Sequence, residues 1–463
     1  MTEQLKLKLN DSKATRWGAL VIVAFTMMAA YYVNDVVAPL KTMLETDLAW
    51  SSTDFGFFTG GYSFLNVFFL MLIWGGLILD RFGIRFTGKL ATILMVGGTA
   101  LEYYAMTGLA GADATLFGIN EIFGYKTGVF VAFAGYSIFG VGAEVAGITV
   151  SKIIAKWFKG KELATAMGVQ VALARIGLEA GYAVAIPLAR AFGISTPVLL
   201  GLVLLLGGMI AFFIFAVMDK KLDKQMEAAA IAAGTEDEEE KFSFKDVKNI
   251  LVNPGFWLIA LLCVLFYSCV FPFQKFASEL MIIKYGINEN VAGTFAGLPA
   301  LGALILTPVF GGFIDKRGKS ASIMLLGSAM LICVHFIYAI PDINYWLVAI
   351  VLMIILGIAF SLVPSAMWPA VAKIFPVSQL GTAYALIFFI QNIGLWGIPT
   401  LIGWVLDAYC ISGKKPDGTN MYDYTVPMCI FTGIACLSLI VALLLKKADK
   451  KYGYKLEEPN IQK

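Results

Sequence analysis

Long apolar stretches, separated by short polar segments, run through almost the whole chain. A helix needs about 20 consecutive apolar residues to cross the hydrocarbon core of a bilayer, and stretches of that length recur here. They predict an all-α membrane protein with twelve spans, numbered 1 to 12, at residues 17–40, 55–79, 86–109, 127–150, 163–189, 197–217, 256–283, 291–314, 323–340, 345–371, 380–405 and 424–445.

The spans form two sets of six, separated by a polar segment with an acidic run at residues 236–240. Such runs are typical of solvated connectors. The predicted organisation is therefore a tail, a first half, a linker, a second half and a second tail, at residues 1–16, 17–218, 219–252, 253–446 and 447–463.

The composition supports a membrane protein, because 59% of the residues are hydrophobic and only 14% are charged. These values exclude a soluble enzyme and a nucleic-acid binder. Of the 35 Lys and Arg residues, 27 lie on the side that carries both tails and the linker. Basic residues concentrate in cytoplasmic loops, so both termini are predicted to be cytoplasmic.

Two kinds of sequence block recur in both halves, which indicates an internal repeat. Gly-x-x-x-Asp-Arg-x-Gly-x-Arg at residues 76–85 follows span 2, and Gly-x-x-x-Asp-Lys-x-Gly-Lys at residues 311–319 follows span 8. Ala-Lys-Trp-Phe at residues 155–158 matches Ala-Lys-Ile-Phe at residues 372–375. Two parallel six-helix repeats with a polar linker resemble the major facilitator superfamily, and the first block is similar to its signature loop.

The repeated loop is a candidate for a cytoplasmic gate. Its acidic residues stand beside basic ones at helix ends, where charge pairs can hold helices together, and its glycines allow close helix contact. The predicted gate residues are Gly76, Asp80, Arg81, Gly83, Arg85, Asp315 and Lys316. The alternative is a basic loop that only sets the topology.

A few charged residues lie within the spans, where each costs about 2.5 to 3.5 kcal/mol unless it is paired or hydrated. Glu144 is in span 4, Arg175 is near the middle of span 5, and Glu179 follows one turn later. Asp35 lies toward the outer end of span 1. Glu144 and Arg175 either pair with each other or bind the two ends of a zwitterion, since a guanidinium holds a carboxylate through two hydrogen bonds.

The second half offers aromatic and amide groups in place of charges. Phe271 in span 7 and Trp368 in span 10 each precede a proline, and irregular helix at membrane depth is tolerated where it lines a cavity. Asn392 in span 11 occupies the repeat position of the span 5 arginine. The alternative for the aromatic residues is helix packing. The spacing of Lys275 and Glu279 predicts a surface pair near the outer mouth.

Several blocks resemble the lysosomal dipeptide transporters of that superfamily, namely those at residues 62–66, 157–163, 174–177, 270–273, 368–369, 380–384 and 391–394. The resemblance implies exchange of short peptides by alternating access. It also implies that Glu144 receives the peptide amino terminus and Arg175 its carboxylate. The substrate-binding candidates are Tyr62, Glu144, Arg175, Phe271, Trp368 and Asn392.

Some features depart from that family. Glu179 replaces a small polar position, and it either neutralises Arg175 in the empty state or takes up a proton and couples transport to the proton gradient. Asp35 is a second candidate for charge coupling. The predicted outer loops contain no Asn-x-Ser/Thr sequon, which favours the cytoplasmic membrane of a prokaryote over a lysosome.

The sequence therefore predicts a monomeric transporter of dipeptides or similar small zwitterions. No cofactor, metal or nucleic acid is expected, and the single histidine leaves no plausible catalytic group for an enzyme. One alternative is a proton-linked carrier of organic anions, in which Arg175 binds the carboxylate and Glu144 or Glu179 carries the proton. A nutrient sensor is a further alternative, against which the short tails argue.

Overall fold

The computed structural model describes residues 8–111, 114–158, 161–233 and 244–459, and these are almost entirely helical. Within these ranges ten helices are long and apolar enough to cross a membrane, and the bent pair Ser52–Phe68 and Met71–Thr107 adds an eleventh crossing. Met71–Thr107 itself breaks at Gly83, where φ is 74° and ψ is 175°. Its two arms are separate crossings, so the described residues contain the twelve spans that the sequence predicts.

Most observed helices extend past the apolar stretches at one or both ends. Spans 1 to 12 are Lys13–Val36, Ser52–Phe68 with 71–82, 84–107, Thr127–Phe158, Leu163–Phe192, Thr196–Ala233, Pro254–Tyr285, Glu289–Arg317, Ser320–Ala339, Trp346–Ile374, Val377–Tyr409 and Thr425–Tyr452. Span 1 continues through the 3-10 turn Ala38–Leu40 into the short helix Lys41–Asp47. Span 6 continues to Ala233, so the first part of the predicted linker is helical, and Phe244–Val252 forms a linker helix.

Two antiparallel hairpins, which the sequence did not predict, lie in loops on one side of the bundle. Strands β1 (Glu121–Ile122) and β2 (Tyr125–Lys126) join spans 3 and 4. Strands β3 (Ile411–Lys414) and β4 (Asn420–Tyr422) join spans 11 and 12. We call this side the hairpin face. The opposite side carries both tails and the linker helix, and we call it the linker face.

The two halves meet along two helix pairs, span 2 with span 11 and span 5 with span 8. Glycines allow backbone contact at both places. A Cβ added at Gly56 would lie 2.5 Å from the Pro399 carbonyl oxygen, and one added at Gly293 would lie 2.3 Å from that of Tyr182. Small residues permit such approach between membrane helices, and these contacts set the angle at which the halves join.

On the linker face, each tail is bonded to its own half. In the second half, Lys319 N and Ser320 N at the start of span 9 donate to the carbonyls of Glu457 and Leu456, and Ser322 N donates to Glu457 Oε1 at 2.8 Å. The first amides of a helix lack partners within it, so residues 454–458, which we call the C-terminal strap, cap span 9. Leu456, in the middle of the strap, is fully buried.

The first half is tied in a similar way. Arg16 binds Glu162 at 2.7 Å, and Lys161 binds Asp11 at 2.8 Å. The hydrogen bond from Lys161 holds the pKa of the Asp11 carboxyl below its usual value. The beginning of span 5 is thereby fixed to the segment that precedes span 1.

Loss of the Glu457 cap should lower stability. Glu457→Ala removes the acceptor for Ser322 N, and a lost N-terminal cap costs about 1 kcal/mol, so the melting temperature of the purified protein should fall. Glu458→Ala is the matched control, because the Glu458 side chain is exposed and makes a weak, exposed ion pair with Lys455 at 3.9 Å, while its bond to Lys373 uses the backbone carbonyl. Equal melting temperatures for both variants and the unmodified protein would show that the carboxylate does not act as a cap.

Candidate functional site

Glu144 is held beside span 2 at mid-membrane depth. One turn earlier, Gly140 packs directly on span 2, where an added Cβ would lie 2.0 Å from the Tyr62 carbonyl oxygen. The Tyr62 hydroxyl donates to Glu144 Oε1 at 3.0 Å. The carboxylate is partly buried and has acceptor sites beyond this single bond. It can therefore accept further hydrogen bonds from a bound cation.

Arg175 is held by span 1 on one side and by the second half on the other. Gly177 packs on span 1, where an added Cβ would lie 2.1 Å from the Met28 carbonyl oxygen. The guanidinium lies over the Phe360 ring of span 10, with Cζ 4.9 Å from the ring centroid. Its Nη1 is buried and has no hydrogen-bond partner among the described residues. Such a group is costly, so an incoming acceptor would be bound favourably.

Glu144 and Arg175 do not pair with each other in the part of the chain that the structure describes. They nevertheless share one region, because the Tyr31 side chain of span 1 lies within electrostatic range of both. The salt bridge that the sequence left open is therefore absent from this conformation. Glu144 thus keeps unused acceptor sites, and Arg175 keeps one unused donor among the described residues.

Aromatic side chains of the second half continue the site beyond Arg175. Phe271 stacks on Tyr267 at 5.5 Å and meets Phe360 edge-on at 5.3 Å. Trp368 stacks on Phe388 at 4.8 Å. We call these five residues the aromatic wall, and Phe360 is the member that connects it to the arginine. Phe360 was not among the predicted residues.

Asn392 lies next to this wall but is less accessible than predicted. It is buried, and its Nδ2 donates to the Phe388 carbonyl of its own helix at 2.9 Å. Its Oδ1 is buried without a partner in the described ranges. The amide thus keeps one unused acceptor close to the stacking partner of Trp368.

Glu179 lies at the contact between the halves. A Cβ added at Gly297 of span 8 would lie 2.1 Å from Glu179 Oε2, so the carboxyl group packs on bare backbone. Within the described part of the chain this oxygen has no hydrogen-bond partner, and the group makes no ion pair with Arg175. Neutralisation of the arginine by Glu179 is not observed in this conformation.

The predicted surface pair of Lys275 with Glu279 is wrong. Lys275 binds Asp35 of span 1 at 2.8 Å, and Glu279 binds Lys41 at 2.5 Å. The i, i+4 spacing correctly places both side chains on one face of span 7. That face packs against the first half rather than against water, so each residue finds its partner there.

A buried cluster of charges closes the hairpin face. Lys41 lies 2.5 Å from Glu45 and 2.5 Å from Glu279, Lys415 lies 3.5 and 3.7 Å from the same carboxylates, and the Tyr424 hydroxyl also donates to Glu279. The Lys41 and Glu279 side chains are only 1% exposed. We call this group the hairpin-face ion cluster. The sequence analysis did not predict this cluster.

The predicted gate residues of the first half bind within their own half. Asp80 pairs with Lys152 at 3.1 Å, and its side chain is 63% exposed. Arg85 binds Asp223 at 2.7 Å, and Arg81 lies over the ring of its neighbour Phe82.

The two gate glycines are not used as expected, since an added Cβ at Gly76 or Gly83 would meet nothing within 4 Å. Gly83 instead supplies the positive φ that ends span 2. In the second half, Asp315 lies within electrostatic range of Lys373, and Lys316 is exposed. Among the described residues, the ion pairs that join the two halves lie on the hairpin side, between Lys41 and Glu279, Arg190 and Glu289, Lys275 and Asp35, and Lys415 and Glu45.

Comparison with known proteins decides the family. The model of the Major Facilitator Superfamily matches residues 20–399 and 276–458. The chain belongs to the major facilitator superfamily. It is an integral, multi-pass membrane protein and a transporter of this superfamily.

Relatives and solved structures of this superfamily support the assignment. The chain is 29% identical to the human lysosomal dipeptide transporter MFSD1 over 454 residues, covering 95% of this chain and 88% of that protein. It is 33% identical to the chicken protein of that name over 287 residues, covering 59% and 62%.

Two solved structures share the fold. The nucleoside transporter NupG has a TM-score of 0.68 at 12% identity, covering 92% of this chain and 98% of its own. A bacterial homologue of the human lysosomal transporter Spinster, in an inward-facing and unoccupied conformation, has a TM-score of 0.62 at 14% identity, covering 98% and 99%.

Removal of one carboxylate from the hairpin-face ion cluster should favour opening of that face. Glu279→Gln leaves Lys41 and Lys415 with one carboxylate between them, and breaking a buried pair costs about 3 to 5 kcal/mol. A cysteine at position 31, in a cysteine-free background, should then react faster with a membrane-impermeant maleimide applied from the hairpin face.

The matched control is Glu289→Gln, which breaks the exposed inter-half pair with Arg190, worth at most about 1 kcal/mol. Equal labelling rates in the two variants would mean that the buried cluster does not hold the face shut.

Proposed function

We propose that this transporter carries dipeptides or similar small zwitterions, with Glu144 binding the ammonium group and Arg175 the carboxylate. The observation that carries the proposal is the arrangement of these two opposite charges, which share one region and leave each other unpaired. The names of the curated relatives, lysosomal dipeptide transporters, support the same class of solute.

The surroundings suit a solute with two charged ends and a variable middle. The Arg175 guanidinium is oriented by the Phe360 ring, so its planar fork is arranged for two hydrogen bonds to a carboxylate. The aromatic wall offers apolar surface to a solute side chain without demanding a particular hydrogen bond. Because the two ends of the solute are recognised by charge and its side chains only by apolar contact, we expect the protein to carry many different dipeptides.

Alternating access would carry the solute across by a rocking motion of the two halves. Glu144 belongs to the first half, and Arg175 lies between span 1 and the Phe360 ring of the second. A solute held by both residues and by the aromatic wall would favour approach of the halves around it. Because one chain supplies all of these groups, we propose that the monomer is the working unit.

We further propose that the linker face is cytoplasmic and that the protein lies in the cytoplasmic membrane. The concentration of Lys and Arg on the linker face supports this orientation. A tag inserted within residues 234–243 should be cleavable by protease in inverted membrane vesicles and protected in intact cells.

Transport should require the guanidinium group of Arg175 and not only its positive charge. Arg175→Ala and Arg175→Lys should both reduce uptake of dipeptide into proteoliposomes by roughly a hundredfold, because an ammonium cannot replace two parallel hydrogen bonds worth about 2 to 3 kcal/mol. Arg190→Lys is the matched control, because Arg190 is exposed on the hairpin face. This variant should take up dipeptide at the rate of the unmodified protein.

The solute class is tested with the same liposomes. Uptake should be competed by dipeptides and not by carboxylates that lack an amine, and dipeptides should raise the melting temperature of the purified protein. The reverse pattern, with competition by simple carboxylates alone, would instead identify a carrier of organic anions.

We propose that Glu179 takes up a proton during the transport cycle, and this proposal can be tested by mutation. Its position at the contact between the halves, without a counter-charge among the described residues, supports this role over neutralisation of Arg175. Glu179→Gln keeps the shape and removes this ionisable group, so the pH dependence of uptake should become weaker. A variant with the pH profile of the unmodified protein would remove Glu179 from the coupling mechanism.

A further inference from the structure

The ammonium group of Lys275 lies among three oxygen atoms that all belong to the first half. Its Nζ is 2.7 Å from the Asn34 carbonyl oxygen, 2.8 Å from Asp35 Oδ1 and 3.3 Å from the Tyr136 hydroxyl. The Asn34 side chain donates to the other Asp35 oxygen at 2.8 Å and holds the carboxylate in place. A lysine of one half thus occupies a cation site built by the other.

The local backbone makes this position favourable for a cation. Asn34 belongs to the last turn of span 1, which ends at Val36 and gives way to a 3-10 turn. The last four carbonyls of a helix have no amide partner within it, and they form the negative end of the helix dipole. The Asn34 carbonyl accepts from the Tyr136 hydroxyl at 2.5 Å, and its second lone pair is available as a ligand whether or not Lys275 is present.

A second carboxyl group lies behind this site. Glu102 of span 3 is fully buried, and neither of its carboxyl oxygens has a hydrogen-bond partner in the described ranges. It lies within electrostatic range of both Lys275 and Tyr136. The other titratable groups within range of Asp35 are Tyr31 of span 1 and Tyr182 of span 5.

The two sets of ion pairs on the hairpin side differ in how their charges divide between the halves. In the hairpin-face ion cluster, Lys41 and Glu45 lie on one helix of the first half, while Glu279 and Lys415 both belong to the second. Separation of the halves leaves a neutral pair on each side. In the part of the chain that the structure describes, Asp35 has no such ion-pair partner in the first half, because Lys275 belongs to the second half.

We propose that Asp35, the Asn34 carbonyl and the Tyr136 hydroxyl form a monovalent-cation site, which a proton or Na⁺ occupies when the hairpin face opens and which Lys275 takes over when it closes. Oxygen ligands suit both cations. Lys275 then acts as a tethered competitor, so binding of the free cation favours the state that is open at the hairpin face.

This mechanism requires two conformations of the chain but not the proposed solute. It deepens the proposed transport by naming a coupling ion, and it is tested without any solute. If cations open the hairpin face but the protein does not transport dipeptides, only the proposed solute class is wrong. If dipeptides are carried without the cation effect, only the cation site is wrong.

The test measures the opening of the hairpin face as a function of cation concentration. Spin labels are placed at the exposed positions Asp47 and Asp342 of a cysteine-free chain, with Glu179→Gln included so that this carboxyl group cannot contribute. Distances between the labels are measured by electron paramagnetic resonance in lipid nanodiscs across a pH series, with sodium or choline as the salt. The population with the longer distance should rise as pH falls or as sodium increases.

Because one cation binds to each open molecule, the expected change in the population ratio can be calculated. The ratio of open to closed populations should change by up to about tenfold for each pH unit, or for each tenfold change in sodium. A response to pH alone identifies the proton, and a response to sodium in choline-balanced buffer identifies Na⁺. No response to either cation overturns the proposal.

Two variants and one matched control locate the effect. Asp35→Asn removes the carboxylate and Lys275→Gln removes the competitor, so each should abolish the cation dependence. Glu45→Gln weakens the hairpin-face ion cluster, so it should raise the open population while keeping the same slope against cation. The assignment would also be overturned if the Lys275→Gln and Asp35→Asn variants, each eluting as a single species in gel filtration, kept the cation dependence of the unmodified protein.

Discussion

An ionised side chain placed within a membrane must find a counter-charge, a hydrogen-bond network or water, and this constraint explains the arrangement of the two halves. On the hairpin face the required partners are supplied across the interface, where Lys41 meets Glu279 and Lys275 meets Asp35. At the centre, Glu144 accepts from the Tyr62 hydroxyl and Arg175 lies over the Phe360 ring, and neither forms an ion pair among the described residues. The same requirement therefore ties the two halves together at the hairpin face.

The sequence predicted the features that depend on short stretches of chain. The apolar stretches located the spans, and the repeated loops separated the two halves, because each follows from local composition. It did not predict which distant residues would pair. Lys275 and Glu279 were placed on one helix face correctly, yet their partners depend on how span 7 packs against the first half. The end of span 2 at Gly83 lies between the predicted boundaries at residues 79 and 86. The break within span 2 at residues 69–70 and the two hairpins were missed, because a few residues of irregular backbone give little signal in hydropathy.

The residues of the candidate site also fall into those that the sequence predicts and those that depend on contacts between distant residues. Charged groups at mid-membrane depth are rare enough to be recognised from sequence, and Glu144 and Arg175 were identified in that way. Phe360 was not, because an aromatic residue in an apolar run is indistinguishable from a packing residue until its neighbour is known. The role of Lys275 also depends on a distant contact, since its three oxygen ligands come from spans 1 and 4.

The bonds on the linker face bear on the stiffness of each half. The C-terminal strap joins the start of span 9 to the residues after span 12, and the Arg16 and Lys161 bonds join the starts of spans 1 and 5. Each half thus satisfies its own polar helix ends with its own residues. Because these bonds lie within one half each, a rocking motion of one half against the other would leave them intact and would exchange only the contacts between the halves.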